Sequence, residues 1–390
     1  MSVTTGVRAP AAARVVGVDV ARCIALIGMI STHVVPMRDA DGGLALAHEL
    51  AGGRASALFA VLAGTSLALM SGGSEPLHGR RRAAVSAGLA VRAGVIAVIG
   101  LALGELPTTI AIILTYYGVL FLLGLPFLGL RWRTLAALGG TWLLVGPVVS
   151  QAVRPLLPPR GFDNPRLAGL GDPWQMVTEL TFTGYYPAVP WLGYLLVGMA
   201  VGRADLRRRG TALVVLAIGI VLAAVSWLVS EALLSRPSVT RALLATAPQP
   251  DVTVEQLRRI LEEGTFGTTP TGSWWWLAVH APHSGTPFDL AHTTGTALAV
   301  LGLCLVAGRL WPRTMAVLFG AGAMTLTLYT LHVVLRTPPF LPEDDVGTFA
   351  WHVVIVLSLG AAFRLMSLRG PLETVTTALA HRAGDQVSRA

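Results

Sequence analysis

The sequence predicts an all-α fold, a polytopic transmembrane helix bundle of about ten spans with two longer extracytoplasmic loops. Three observations carry this. The 390 residues are 53% hydrophobic and only 13% charged, with a mean hydropathy of +0.65, whereas soluble domains carry about 25% charged residues. Apolar runs recur at the ~20 residues that cross ~30 Å of hydrocarbon. Between them, arginines cluster in alternate connections, the pattern that sets orientation in a membrane.

The expected spans are 15–36, 55–72, 84–104, 107–129, 134–153, 186–202, 211–233, 288–308, 314–335 and 348–368. One set of connections holds Arg8 and Arg14, Arg80 to Arg82, Arg131 and Arg133, Arg203, Arg207 to Arg209, Arg309, Arg313 and Arg369. The positive-inside rule makes these cytoplasmic. Residues 1–14 and 369–390 are then cytoplasmic tails around a transmembrane domain of 15–368. The other set of connections, which includes the long loops 154–185 and 234–287 and holds most of the acidic residues, faces outward. Within the second, "DVTVEQLRRILEEGT" reads as a short surface helix, with Asp251 or Thr253 as N-cap and Gly264 just past its end. Glycines four apart, Gly100 with Gly104 and Gly198 with Gly202, predict close helix contacts in lipid.

The net charge of +8 does not point to nucleic acid, because the arginines punctuate apolar runs rather than line one polar face. Every basic residue is Arg, a bias of GC-rich coding that suggests a bacterial plasma membrane. Cys23 and Cys304 both fall in spans and read as small buried hydrophobes rather than a disulfide. No small-residue cleavage site follows the first span, which is expected to stay as a signal anchor.

In the first span, Asp19 and Arg22 are three residues apart and share a helix face. His33 lies eleven residues beyond Arg22, almost three turns, and returns to that face about 16 Å further along. Ionisable groups in a span cost roughly 2.5 to 3.5 kcal/mol each and usually face the bundle interior or a wet cavity. The Asp19–Arg22 pair is either a self-neutralising pair at the interface or part of a ligand site. His33 reads as functional. Of the nine histidines, seven (His33, His48, His280, His283, His292, His332 and His352) fall on the outer side. His280 and His283 have a metal-like spacing, but without a Cys or HExxH pattern no metal site is expected. Arg22, Arg92 and the "HGRRR" of His78 to Arg82, with Arg81 and Arg82 at its end, can form a cytoplasmic-side pocket whose planar guanidinium forks suit phosphate. Arg364 reads as a side chain snorkelling to the headgroups. Asp289 is either an N-cap for the eighth span or a partner that orients an imidazole, and Trp274 to Trp276 read as an interface anchor.

The pattern Arg14-x4-Asp19-x2-Arg22-x2-Ala25-x7-His33 resembles the first-helix signature of bacterial membrane acyltransferases. "GGRASALFAVLAGTSLAL", Gly52 to Leu69, looks like that superfamily's second helix. "ILTYYGVLFLLGLPFL", "YYPAVPWLGYLLVGMAVGR" and "GAMTLTLYTLHVV" look like the related heparan-alpha-glucosaminide N-acetyltransferase-like family. The resemblance implies transfer of an acyl group, acetyl above all, from cytoplasmic acyl-CoA to an extracytoplasmic sugar or glycolipid hydroxyl or amine. Acyl-CoA would be a cosubstrate held by Arg22, Arg92, Arg81 and Arg82, with no permanently bound cofactor. The resemblance implies a catalytic histidine at His33, or at His48 if the lysosomal branch is the guide. The expected partners are the bilayer, acyl-CoA and the acceptor, with a homodimer left open. A secondary transporter of a small anionic solute is the alternative, although the matching, Gly/Pro-broken halves of such folds are not found.

Overall fold

The first helix, α1 (Val16–Val34), ends where Val35 turns extended, at φ −79° and ψ 133°, because a residue before proline disfavours helical backbone and Pro36 follows. This is a computed structural model that describes residues 14–161, 163–338, 340 and 345–389; the expected tail of residues 1–13, Arg8 included, lies outside them. The chain continues through α2 (Leu46–Ala51) and α3 (Arg54–Met70), separated by Gly53 at φ +69°, a left-handed turn that suits glycine. Then follow α4 (Gly79–Leu103) and α5 (Leu114–Gly124), which tightens into a 3₁₀ turn over Leu125–Gly129. After these come α6 (Trp132–Val153), α7 (Pro173–Thr178), α8 (Ala188–Arg203) and α9 (Arg209–Leu234). The second long loop carries α10 (Pro237–Leu244) and α11 (Val254–Glu263). The last part holds α12 (Pro287–Leu310), α13 (Pro312–Leu318), α14 (Thr325–Leu335), α15 (Val346–Leu365) and α16 (Pro371–Arg389). Among the described residues there is no β-strand, only an isolated bridge between Arg38 and Leu44.

Seven helical segments are long and apolar enough to cross a membrane: Val16–Val34, Leu46–Met70, Gly79–Leu103, Trp132–Leu156, Arg209–Leu234, Pro287–Leu310 and Val346–Leu365. Three shorter apolar helices, Leu114–Gly129, Ala188–Arg203 and Thr325–Leu335, occupy the other three expected positions. The protein is therefore an all-helical, multi-pass membrane protein. α1 is central, packed on α3, α12, α14 and α15, with Ala21, Cys23, Leu26 and Ile30 fully enclosed. α3 and α8 touch along their backbones: a Cβ on Gly64 would strike the Leu195 carbonyl, and one on Gly198 the Val61 carbonyl. The expected glycine pair of α8 thus sits at a true close approach. By contrast α9 exposes Val214, Ile218, Val221, Val225 and Leu228, a stripe suited to lipid.

The two ends of the bundle differ chemically. At one, the Arg-rich turns are tied to each other: Arg82 donates to the Pro126 carbonyl (2.7 Å), Arg309 to that of Arg208 (2.7 Å), and Arg14 to that of Ala323 (3.3 Å). Buried Arg203 donates to the carbonyls of Ala68 (2.9 Å), Ser71 (3.1 Å) and Gly73 (2.8 Å), satisfying carbonyls that the end of α3 leaves without helical partners. At the other end the second long loop is tied down from outside it, Arg38 of the connection after α1 donating to Glu263 (2.8 Å) and Gln151 of α6 to the Pro270 carbonyl (3.0 Å). There α11 begins with a capping box, Thr253 Oγ1 accepting from Gln256 N (3.2 Å) and Gln256 Oε1 from Thr253 N (2.8 Å). Thr253, not Asp251, is the cap.

Two expected spans are corrected, and the expected C-terminal tail acquires a structure. The fourth span does not start as helix at 107: Ile110 and Ile112 are buried in irregular backbone, which Asn164 pairs by accepting from Ile112 N (2.8 Å) and donating to Ile110 O (2.8 Å). Non-helical backbone at such depth must be satisfied internally. The ninth span is broken at Gly320–Ala323 into α13 and α14, where Gly322 abuts the Asp19 carbonyl of α1 and Gly320 that of Gly360 in α15. Within the expected tail of 369–390, residues 371–389 form α16, packed along α4.

Candidate functional site

α1 carries both ends of the candidate site. Near its start, Asp19 accepts from Arg22 Nη1 (2.9 Å) and Arg14 Nε (3.0 Å), and Arg22 Nη2 donates to Ser66 Oγ of α3 (2.6 Å). The i,i+3 pair expected from sequence is thus present, and it holds the Arg22 fork in one orientation. A cavity of about 650 Å³ opens beside it. Its polar wall contains Arg14, Arg22, Arg92 and Arg369, with Glu373 as the carboxylate. Glu373 is already engaged by Leu326 N (2.8 Å) and Thr327 Oγ1 (2.6 Å). Arg92 has no ion pair or hydrogen bond among the described residues and lies close enough to Arg22 for the two cations to repel. Such a surplus of guanidinium groups suits an anion, and phosphate in particular.

Inward the lining becomes apolar and aromatic: Phe59, Leu62, Leu114, Met29, Tyr117 and Tyr329. Tyr117 donates to the Ser56 carbonyl (3.0 Å), and Tyr329 Oη accepts from Ile113 N (3.4 Å). The cavity stops there. His33 is not in its wall but one turn beyond Met29 on α1, about 6 Å further along the axis. His33 Nδ1 lies 3.1 Å from Nε2 of His332, which stands one turn beyond Tyr329 on α14.

The structure therefore brings Arg22 and Arg92 together, and adds Arg14 and Arg369, which sequence reasoning assigned only to topology. It does not bring in Arg81, which is exposed at the start of α4, or Arg82, which is tied to the Pro126 carbonyl. His48 is buried and its Nε2 donates to the Val35 carbonyl (2.9 Å), a contact that closes the loop after α1 onto the helix end. His332 and His352 were legible only as members of the outer histidine group; nothing in their spacing pointed to His33.

Of the remaining outer histidines, His280 and His292 meet with ring centroids at 6.3 Å. His280 lies beside Ser230 Oγ (3.1 Å) and Glu231 (3.6 Å). His283 packs on the rings of Tyr185 (5.0 Å) and Tyr186 (5.7 Å), where burial pushes it down to about 4. Burial also lowers His280. Thr286, not Asp289, caps α12 by accepting from Asp289 N (3.1 Å), and the Asp289 carboxylate reaches back to Gly285 N (2.9 Å). Trp276 is buried and donates to Thr246 Oγ1 (2.9 Å), while Trp274 and Trp275 are exposed.

Comparison with curated proteins finds no match. The family model for heparan-alpha-glucosaminide N-acetyltransferase, catalytic, matches residues 14–240, a stretch that holds α1 to α9 and with them Asp19, Arg22, His33, His48 and Arg92. Over half of the chain fits that model, and the protein belongs to the heparan-alpha-glucosaminide N-acetyltransferase catalytic family.

Proposed function

We propose that the protein is an acyl-CoA-dependent membrane acetyltransferase that passes an acetyl group from the cytoplasm to a sugar or glycolipid hydroxyl or amine outside. The observation that carries this reading is the layout along α1: the anion-suited cavity at Arg22 narrows to an apolar end at Met29, one turn from His33. Phosphates of the donor would rest on Arg14, Arg22, Arg92 and Arg369, and its flexible arm would extend past Leu62 and Tyr117. The arginine end faces the cytoplasm by the positive-inside rule, so both termini lie inside, and the all-Arg basic composition suits a bacterial plasma membrane.

His33 acts as general base in this reading. Its free nitrogen takes the proton of the acceptor O–H or N–H as that atom attacks the thioester carbonyl. The C–S bond breaks, and the thiolate leaves with the proton returned by the imidazolium. Such assistance is typically worth ~10² to 10⁴-fold. His48, already bonded to Val35 O, is a structural residue of the loop.

The test is transfer of labelled acetyl from acetyl-CoA to envelope glycans and lipids by the reconstituted protein. Loss in His33→Ala with retention in His48→Ala is the expected result. Equal transfer by wild type and His33→Ala would overturn the assignment, and uptake of an anionic solute without any covalent product would replace the enzyme by a transporter.

A further inference from the structure

Two tyrosines line the apolar end of the arginine cavity, and their hydroxyls are engaged differently. Tyr117 (α5) gives its proton to the Ser56 carbonyl (3.0 Å). Tyr329 (α14) instead accepts, from Ile113 N (3.4 Å). Ile113 precedes α5, where no turn of helix behind it supplies a carbonyl, so the tyrosine oxygen meets an N–H that the helix leaves over. A tyrosine hydroxyl both accepts and donates, and no group among the described residues accepts the Tyr329 proton. The side chain is enclosed, at 3% exposure, yet it lines the cavity. A buried hydroxyl whose proton has no acceptor is uncommon.

Its position decides what that proton can meet. Tyr329 stands three residues before His332 on α14, about 4.5 Å along the axis, and Met29 four residues before His33 on α1, about 6 Å. Both line the cavity, and the contact between His33 and His332 (3.1 Å) lies just beyond them. The closed end of the cavity is thus bounded by Tyr329 and Met29, with the imidazoles one turn further out. Phe59, Leu62 and Leu114 complete the wall; their side chains offer no competing hydrogen bond, and apolar surroundings strengthen one that forms there.

We propose that Tyr329 is a catalytic residue of the acetyl transfer, its O–H donating to the thioester carbonyl oxygen of the donor, and most strongly as that oxygen becomes negative. This deepens the acetyltransferase reading and rests on it. When the acceptor oxygen or nitrogen bonds to the carbonyl carbon, the C=O π electrons move onto the oxygen; when they return, the C–S bond breaks and the thiolate leaves. Tyr329 gives up no proton in either step. It holds a hydrogen bond to an oxygen whose full charge exists only between them, so its effect falls on kcat more than on binding. Ile113 N fixes the hydroxyl oxygen in advance, so that little reorganisation is needed during the reaction. Tyr329 lies beyond residues 14–240, the stretch that the family model matches.

The test reads the carbonyl directly. Full-length, folded His33→Ala protein, chosen so that bound donor is not consumed, is loaded with acetyl-CoA carrying ¹³C at the carbonyl and studied by isotope-edited infrared difference spectroscopy. The expected thioester band lies below that of ¹³C-labelled S-ethyl thioacetate in hexane and moves back up in His33→Ala/Tyr329→Phe. A band at the hexane position with Tyr329 present overturns the proposal without any tyrosine variant, and so does an equal band in the two proteins. Absence of any bound-donor band in both would remove the acetyl-CoA reading itself, and this inference with it. In turnover with acetyl-CoA and glucosamine as the acceptor probe, or acetyl-CoA hydrolysis if that amine is not acylated, Tyr329→Phe in the otherwise wild-type protein lowers kcat about 10²- to 10³-fold. KM for acetyl-CoA stays within about twofold. Tyr186→Phe, a change at another buried tyrosine that is not in the cavity wall, leaves both unchanged. Wild-type kcat in folded Tyr329→Phe also overturns the assignment.

Discussion

Glu373 caps α14 through Thr327. Its carboxylate accepts from the backbone N–H (3.2 Å) and the hydroxyl (2.6 Å) of Thr327, and from Leu326 N (2.8 Å). The first N–H groups of a helix have no partner within it and attract negative charge. Here the break at Gly320–Ala323 creates such an end at the cavity wall, and a side chain from α16 satisfies it. The same carboxylate thus docks the C-terminal helix and fixes the start of α14.

Glu373→Ala should weaken this junction by about 1–2 kcal/mol, the usual worth of a helix cap. α16 then opens more often, and trypsin should cut at Arg382 faster than in the wild type. Equal cleavage rates would show that the packing of α16 on α4 suffices without the cap.

Arg92 lines the cavity with no ion pair or hydrogen bond among the described residues, whereas Arg82 is occupied by the Pro126 carbonyl. Arg92→Leu should raise KM for acetyl-CoA about 10- to 10²-fold, the worth of one hydrogen bond to a charged group. Arg82→Ala should leave KM near the wild-type value and lower thermal stability instead. Comparing KM and the unfolding midpoint of both variants checks the distinction; the reverse pattern would return the phosphate site to the start of α4.

Met29 closes the inner end of the cavity one turn short of His33. Met29→Trp should block the approach of the donor's reactive end and lower kcat about tenfold or more, since reacting groups must be held within roughly 3–3.5 Å. Binding at the arginine end should persist. A Trp variant with undiminished kcat would mean that the reacting carbonyl never passes this residue.

His283 makes stability depend on pH. Its folded value of about 4 lies below the ordinary 6.5 because burial disfavours the cation. The unfolded chain therefore takes up this proton first. The stabilising contribution is complete above pH 6.5 and is lost progressively from there down to about 4, up to about 3 kcal/mol in all. His283 adopts φ +55°, so His283→Asn, which tolerates that backbone, is the suitable control. Thermal unfolding between pH 7.5 and 4.5 should show a shallower pH dependence in the variant; identical slopes would assign the effect to other groups.

Local physics made much of this protein legible from its residues. Apolar runs located seven helices of membrane length and three shorter ones in order among the described residues, and arginines marked one end of the bundle. The Thr253–Gln256 capping box started α11, and the 3.6-residue repeat put Arg22 and His33 on one stripe of α1. Each of these depends on residues close together in the chain. The tertiary structure decided what depends on distant segments. His332, 299 residues from His33, became its neighbour only because α14 packs on α1. Asn164 made the irregular stretch before α5 tolerable. Gly322 broke the ninth span by its approach to Asp19. Arg14 and Arg369 joined Arg22 and Arg92 around one cavity, while Arg81 and Arg82, equally basic in sequence, were left outside it by the direction in which α4 begins.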